Sequence, residues 1–304
     1  RLNGSLDWFR KRGKDIFHTM RIDCTKGYES VVMNYADLLN NGFGASLSYD
    51  WFRPNEQRDF SWNSALTLTF VKNEITRVDE AATTPNALVA GGLKVGYPVH
   101  ALFSLPYAGV EEVNGKGIPT WHKADGSTTN DYLKSSDMSV VVYSGSEDPK
   151  TNIGFSNTLQ YKGVSLSFLL VYYGGHYLRA LQPSGMPGLQ YRAFPSYLKD
   201  SWTPENTDTL VPGFGQYSTQ STTSNIYYTD AFVRPAAFLK LRNIVVGYDL
   251  PQSFARKLGM RSASIRFQID NPKALWVKND VGIDPETGGI RQLTSYIFGI
   301  NFNF

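Results

Sequence analysis

The chain has 304 residues, 30 of them basic and 27 acidic, for a formal net charge of +3. That near balance gives no ground for nucleic-acid binding, and no apolar run approaches the ~18 residues of a transmembrane helix. The lone cysteine, Cys24, excludes an internal disulfide.

Leu2, Gly4, Leu6 and Trp8 alternate with Asn3, Ser5 and Asp7, which predicts a first strand. It starts at once from Arg1, so the N-terminus reads as a cut edge, with no signal peptide before it. A polar stretch at about 11–40 follows and is expected to be a loop. Phe43, Ala45, Leu47, Tyr49 and Trp51 alternate with Gly44, Ser46, Ser48 and Asp50 in a second strand. The Gly42 and Gly44 pair points to close backbone packing or a neighbouring aromatic ring. After a short polar link, Phe60, Trp62, Leu66, Leu68 and Phe70 mark a third strand, and an irregular region is expected at 74–150.

Ile153, Phe155, Leu159 and Tyr161 predict a fourth strand, and Val164, Leu166, Phe168, Leu170 and Tyr172 a fifth. The link between them is tight, with Gly163 free to take positive φ. A second long loop covers 174–235. From Phe238 the phase changes: Leu239 and Leu241 lead, then Ile244, Val246 and Tyr248, so a bulge is expected near Asn243. Ala263, Ile265, Phe267 and Ile269 make a seventh strand, and a last long loop covers 271–292. The chain closes on Tyr296, Phe298, Ile300, Phe302 and Phe304, with Ser295, Gly299, Asn301 and Asn303 opposite.

Short links follow strands two, four and six, and long ones follow the rest. Strands with one greasy face and one small, polar face, sorted loops and a terminal aromatic strand predict an all-β, antiparallel, up-and-down transmembrane barrel. Aromatic residues, 14% of the chain, suit its interface girdles. Eight strands can close a small barrel. The length of the loops argues instead for a segment of a larger one.

The chain resembles the C-terminal part of SusC/RagA-type TonB-dependent outer-membrane transporters of Bacteroidetes across residues 1–304. The resemblance rests on Phe238-Leu-Lys-Leu-Arg-Asn-Ile-Val-Val-Gly-Tyr-Asp-Leu-Pro251 and Phe298-Gly-Ile-Asn-Phe-Asn-Phe304. Asp148-Pro149, Gly154-Phe-Ser-Asn-Thr158 running to Tyr161-Lys-Gly163, and Ser201-Trp-Thr-Pro-Glu-Asn206 add to it. Asn271-Pro272 departs from the usual Asn-Leu. The resemblance implies about the last eight strands of a plugged barrel of about 22 strands. It also implies a SusD-like surface lipoprotein as a lid, energy from the TonB complex, and import of oligosaccharides or oligopeptides. A dimer of transporter–lid pairs is implied as well. Plug and TonB-contacting segments are expected outside this chain. The alternative is a self-standing eight-stranded outer-membrane barrel with a structural or adhesive role.

No cofactor, metal site or enzymatic activity is expected: the histidines are scattered, and no clustered His/Ser/Asp set or phosphate loop is present. Asp284 and Glu286 lie on a turn-rich stretch, 284–289, that lacks the regular spacing of a calcium loop and reads as a plain turn. Candidate contacts for substrate or lid are the loop residues Tyr107, Trp121, Tyr177, Tyr191, Arg192, Tyr217, Tyr227 and Tyr228, since aromatic rings present an apolar body and a polar tip. Tyr97 and Phe103 belong to the same surface as Tyr107 and Trp121. Trp202 reads as a framework anchor. Lys240, Arg242, Arg266, Gln268 and Asp270 are expected to face the lumen. Tyr296, Phe298, Ile300, Phe302 and Phe304 are expected to carry the barrel-assembly signal.

Overall fold

The structure, a computed structural model, describes residues 1–21, 27, 30–55, 59–79, 81–130, 137–180, 199–213 and 226–304. Eight strands form one antiparallel meander, each paired to the next in chain order. They are β1 (Leu2–Arg21), β2 (Ser30–Phe52), β3 (Phe60–Val78), β4 (Thr151–Tyr161), β5 (Val164–Gly174), β6 (Phe238–Asp249), β7 (Ser262–Val277) and β8 (Ser295–Asn303).

The pairing register sorts the side chains into two faces. Phe52, Trp62, Leu159, Leu166, Val246, Phe267 and Phe298 form one continuous cross-strand row. One residue along, Ser61, Gln160, Ser165, Gly247, Arg266 and Gly299 form the row on the other face. Apolar residues of the first face stand exposed, among them Leu6, Trp8, Phe70 and Phe298. A sheet that leaves such a face uncovered by protein is suited to lipid, and its small, polar face to a wet lumen. Among the described residues, β1 pairs only with β2 and β8 only with β7. A closed barrel has no free edge, so the eight strands are an open stretch of barrel wall.

Local chemistry fixes the details. Lys162 (φ 46°) and Gly163 (φ 81°) both take positive φ, as the two-residue type I′ turn between β4 and β5 requires. The register of β6 slips between Leu241 and Asn243, which makes Arg242 the bulged residue, next to the position where the phase change puts it. On the inner face the Phe9 ring lies over Gly42. A Cβ there would come within 2.1 Å of Phe9 Cζ, so the glycine makes room for an aromatic neighbour.

The wall is taller than the sequence pattern suggests. The stretch at 11–40, expected to be a loop, is mostly strand: β1 runs to Arg21 and β2 starts at Ser30. Likewise β3 runs to Val78 and β7 to Val277. A bilayer crossing needs only about 9–11 residues per strand. Beyond the lipid no greasy outer face is required, so pairing continues without the alternation that marks a strand in sequence, although Tyr35, Ala36 and Ile75 there are buried.

The three long connections fold together. Ala101–Ser104 pairs with Val142–Ser146, Tyr107–Val113 with Lys116–His122, and Tyr177–Arg179 with Val233–Pro235. A short helix, Pro85–Val89, starts with Thr84 accepting a hydrogen bond from the Ala87 amide. These pieces share an apolar core of Leu88, Val89, Phe103, Leu105, Trp121, Val140, Ala180, Ile226 and Phe232, with Val281 and Ile283 of the last loop packed against it. This core is the larger of two apolar clusters among the described residues; the other, around Ala255, lies in the short β6–β7 link. No described helix is long and apolar enough to cross a membrane.

Candidate functional site

The loop aromatics split between framework and surface. Trp121 is fully buried in the loop core, so it braces the loops rather than presenting a contact surface. Its period-two neighbours in sequence look like any exposed loop strand, and only the packing of its own loop with the second long loop hides it. Tyr107 packs edge-on to Trp121 and donates its hydroxyl hydrogen to the Leu210 carbonyl at 2.8 Å. Trp202 is 2% exposed and lies against Gly117, where an added Cβ would come within 2.5 Å of the indole. Tyr177 is exposed, with its ring against Gly145. Tyr191, Arg192 and Tyr217 lie outside the described residues, as does Cys24.

Tyr227 and Tyr228 meet edge to face, ring centroids 4.9 Å apart and planes 75° apart, and Arg179 places its guanidinium over both. The same guanidinium donates to the carbonyls of Phe103 at 2.5 Å and Thr229 at 3.4 Å, and to Ser104 Oγ at 3.3 Å. Burial pushes the Arg179 pKa below its ordinary value. These bonds tie the first and second long loops together.

The third long loop is held by charge. Lys240 Nζ donates to Asp284 Oδ1 and Oδ2 at 2.6 and 2.7 Å and to Glu286 Oε2 at 2.8 Å. Arg242 donates to both oxygens of Glu286. Burial disfavours the Glu286 charge, but hydrogen bonds from Arg242 and Lys240 outweigh it and hold the carboxyl below its usual range. The stretch 284–289 is thus more than a plain turn. Its carboxylates are already matched by an ammonium and a guanidinium, in the place a metal cation would take. Lys240 stands on the inner face, opposite Val171, but is 7% exposed and committed to this loop. Arg242 turns toward the same loop.

Lower on the inner face, Arg266, Gln268 and Asp270 form a ladder along β7. Arg266 Nη2 donates to Gln268 Oε1 at 2.9 Å, and Gln268 Nε2 to Asp270 Oδ1 at 2.8 Å. Gly247 and Gly299 flank Arg266 on the neighbouring strands and leave its guanidinium room.

A cleft that the sequence reading did not single out opens at the top of the inner face, with a volume of about 470 Å³. Asn40, Asn73, Tyr97, Tyr143, Asp148 and Lys150 are among its walls. Asn40 and Asn73 are cross-strand partners in phase with Ser46 and Thr67. The remaining walls come from the first long loop, so no single stretch of sequence announces the cleft.

No family model matches the chain. In sequence it is similar to TonB-dependent receptor P26 of Formosa agariphila, at 26% identity over 94% of this chain and 29% of that protein. It is also similar to TonB-dependent receptor SusC of Bacteroides thetaiotaomicron, at 22% identity over 100% of this chain and 30% of that protein. The chain therefore spans about three-tenths of the length of these curated relatives. In fold it is similar to the RagAB peptide transporter (TM-score 0.75, 23% identity, 100% of this chain and 33% of that one). A second RagAB structure, of the peptide importer in its closed-closed state, gives a TM-score of 0.74 at 24% identity, over 100% of this chain and 34% of that one. Sequence likeness along nearly the whole chain and a shared wall of strands agree with the motifs: the chain is similar to the part of SusC/RagA-like TonB-dependent receptors that it covers, and its strands have the fold of the RagAB barrel wall.

Proposed function

We propose that this chain is part of an outer-membrane importer that draws energy from a TonB complex and works with a SusD-like surface lipoprotein. The cargo is an oligosaccharide or an oligopeptide, and no covalent chemistry is assigned to the chain. The observation that carries the reading is the division of one sheet into a lipid-suited face and a small, polar face, capped at one end by a self-packed body of loops. The relatives that share the sequence pattern are named TonB-dependent receptors. The structures that share the fold are named a peptide transporter and a peptide importer. The polar face carries Ser, Thr and Gly beside the Arg266–Gln268–Asp270 ladder, as a path for polar cargo would, and the loop body offers a surface for a lid.

A self-standing eight-stranded barrel would require β1 to pair with β8. That pairing is not made among the described residues.

The test uses the full-length protein in its own cells, with fluorescent oligosaccharides and oligopeptides supplied outside. Uptake of one class is expected, abolished by a protonophore and by deletion of the gene, and the purified protein is expected to bring down a surface lipoprotein. Uptake that survives both treatments would overturn the reading.

A further inference from the structure

We propose that the short β6–β7 link is an interfacial foot that holds the headgroup of an anionic phospholipid at the short-turn rim of the wall. This goes beyond the import reading: it rests on the wall standing in a bilayer, not on what crosses it.

The link folds into a short helix, Gln252–Lys257. Gly259 takes φ 74°, its amide donates to the Arg256 carbonyl at 3.1 Å, and the Met260 amide donates to the Ala255 carbonyl at 3.0 Å. This is a Schellman ending, with the apolar contact between Ala255 and Met260 that commonly accompanies it. Ala255 and Met260 pack with Ala263 and Leu250. Ala263 is paired with Phe302 and stands two residues before Ile265, so it belongs to the lipid-suited face. The helix therefore lies against the outer side of the wall.

Its remaining surface is part apolar and part cationic. Phe254 and Leu258, 52% and 56% exposed, are four residues apart and share a helix face. They continue the exposed apolar face of Tyr248, Ile265 and Phe302. Arg256, Lys257 and Arg261 are exposed too, and residues 251–262 hold no Asp or Glu. Among the described residues none of these cations has an ion-pair partner. The nearest acidic residue in sequence, Asp249, is opposite Ser264 on the inner face.

Apolar side chains beside free cations, on a helix at the edge of a lipid face, make a segment suited to the headgroup layer. Tyr161 and Tyr248 mark the same level, on one cross-strand row with Val164 between them, since a tyrosine ring sits well at the membrane–water interface. Short turns of outer-membrane barrels face the periplasm, so the lipid is one of the inner leaflet. A phosphodiester with no cation of its own, as in phosphatidylglycerol, matches the free cations. A protein docked here would have to displace the lipid that Phe254 and Leu258 share with Ile265 and Phe302.

The experiment titrates the full-length protein in detergent with phosphatidylglycerol or phosphatidylcholine and counts bound lipids by native mass spectrometry. Wild type is compared with a triple variant, Arg256→Gln, Lys257→Gln and Arg261→Gln. Heat-modifiable migration on gels checks that both proteins fold. Wild type is expected to bind its first phosphatidylglycerol about fivefold or more tighter than phosphatidylcholine, and the variant to lose that preference. An equal preference in both proteins, or none in wild type, would overturn the proposal and leave the import reading standing. In vesicles, hydrogen exchange across 252–261 is expected to be slower with phosphatidylglycerol than with phosphatidylcholine alone. Protection that ignores lipid charge would mean that a protein surface covers the helix, and would overturn the lipid assignment.

Discussion

Lys240 and Asp284, 44 residues apart in the chain, meet through both carboxylate oxygens with side chains 9% and 8% exposed. Removing one partner of a buried pair leaves the other charge uncompensated, at a cost of about 3–5 kcal/mol. Lys240→Met is therefore expected to free the last long loop while the strands stay paired. Hydrogen exchange at residues 281–286 should quicken by orders of magnitude, with β6 protection kept. Equal exchange in both proteins would show that the clamp carries no local stability.

The same clamp carries a pH dependence. The Glu286 carboxyl is held below its ordinary value of 4.5 in the folded loop, so its contribution is fully present above that value. It is lost as pH falls through the depressed folded value. Melts of wild type and Glu286→Gln, followed by near-ultraviolet dichroism of the loop aromatics, should differ at pH near 7. The difference should vanish in acid.

Gly117 and Trp202 make a second sensitive contact. The indole is buried and has no room to retreat, so Gly117→Ala overpacks the site, at about 1–3 kcal/mol. The loop body should become open to protease nicking while the wall still shows heat-modifiable migration. A protease pattern like wild type would mean that the loop relaxes without cost.

On the lipid-suited face, Trp62 Nε1 donates to Asn157 Oδ1 at 2.9 Å, Ser64 Oγ donates to the same oxygen at 2.6 Å, and Trp51 Nε1 donates to Ser64 at 3.0 Å. Asn157→Leu removes the shared acceptor and leaves the Trp62 N–H to find another. The expected loss is about 1–3 kcal/mol. It is read as a lower urea midpoint for unfolding from lipid, and an unchanged midpoint would mean that lipid headgroups or water replace the asparagine.

The end of β8 is expected to bear on assembly. Tyr296, Phe298, Ile300 and Phe302 stand on one face, in step with Ile269, Phe267, Ile265 and Ala263 of β7, and Phe304 continues the row. Deleting Phe304 is expected to lower the amount of folded barrel at the cell surface and leave cargo choice unaltered. Normal surface levels of the truncated protein would remove the assembly role.

The strands were legible where lipid imposes a period of two, as from Phe60 to Phe70 and from Ala263 to Ile269. Even the bulge at Arg242 left a trace, because a slip of one residue shifts the apolar phase. The upper halves of β1 and β2 left none, since a strand beyond the lipid need not alternate, and its buried residues, such as Tyr35 and Ala36, follow no period of two. The Lys240–Asp284 clamp was invisible for a different reason: its cations stand on a strand and its carboxylates in a loop, and no local pattern joins them. Trp121 reads as an exposed aromatic until its own loop and the second long loop pack into one core around it.

The position of the larger apolar core has a consequence for how such a protein can change. A wall whose greasy face rests on lipid asks little of its loops beyond an anchor at each end. A loop body with its own packed interior, tied down by Arg179 and the Lys240 clamp, can accumulate surface substitutions as an independent domain would. On the importer reading proposed above, recognition can then drift from one cargo to another without retesting the fit of the barrel to its membrane.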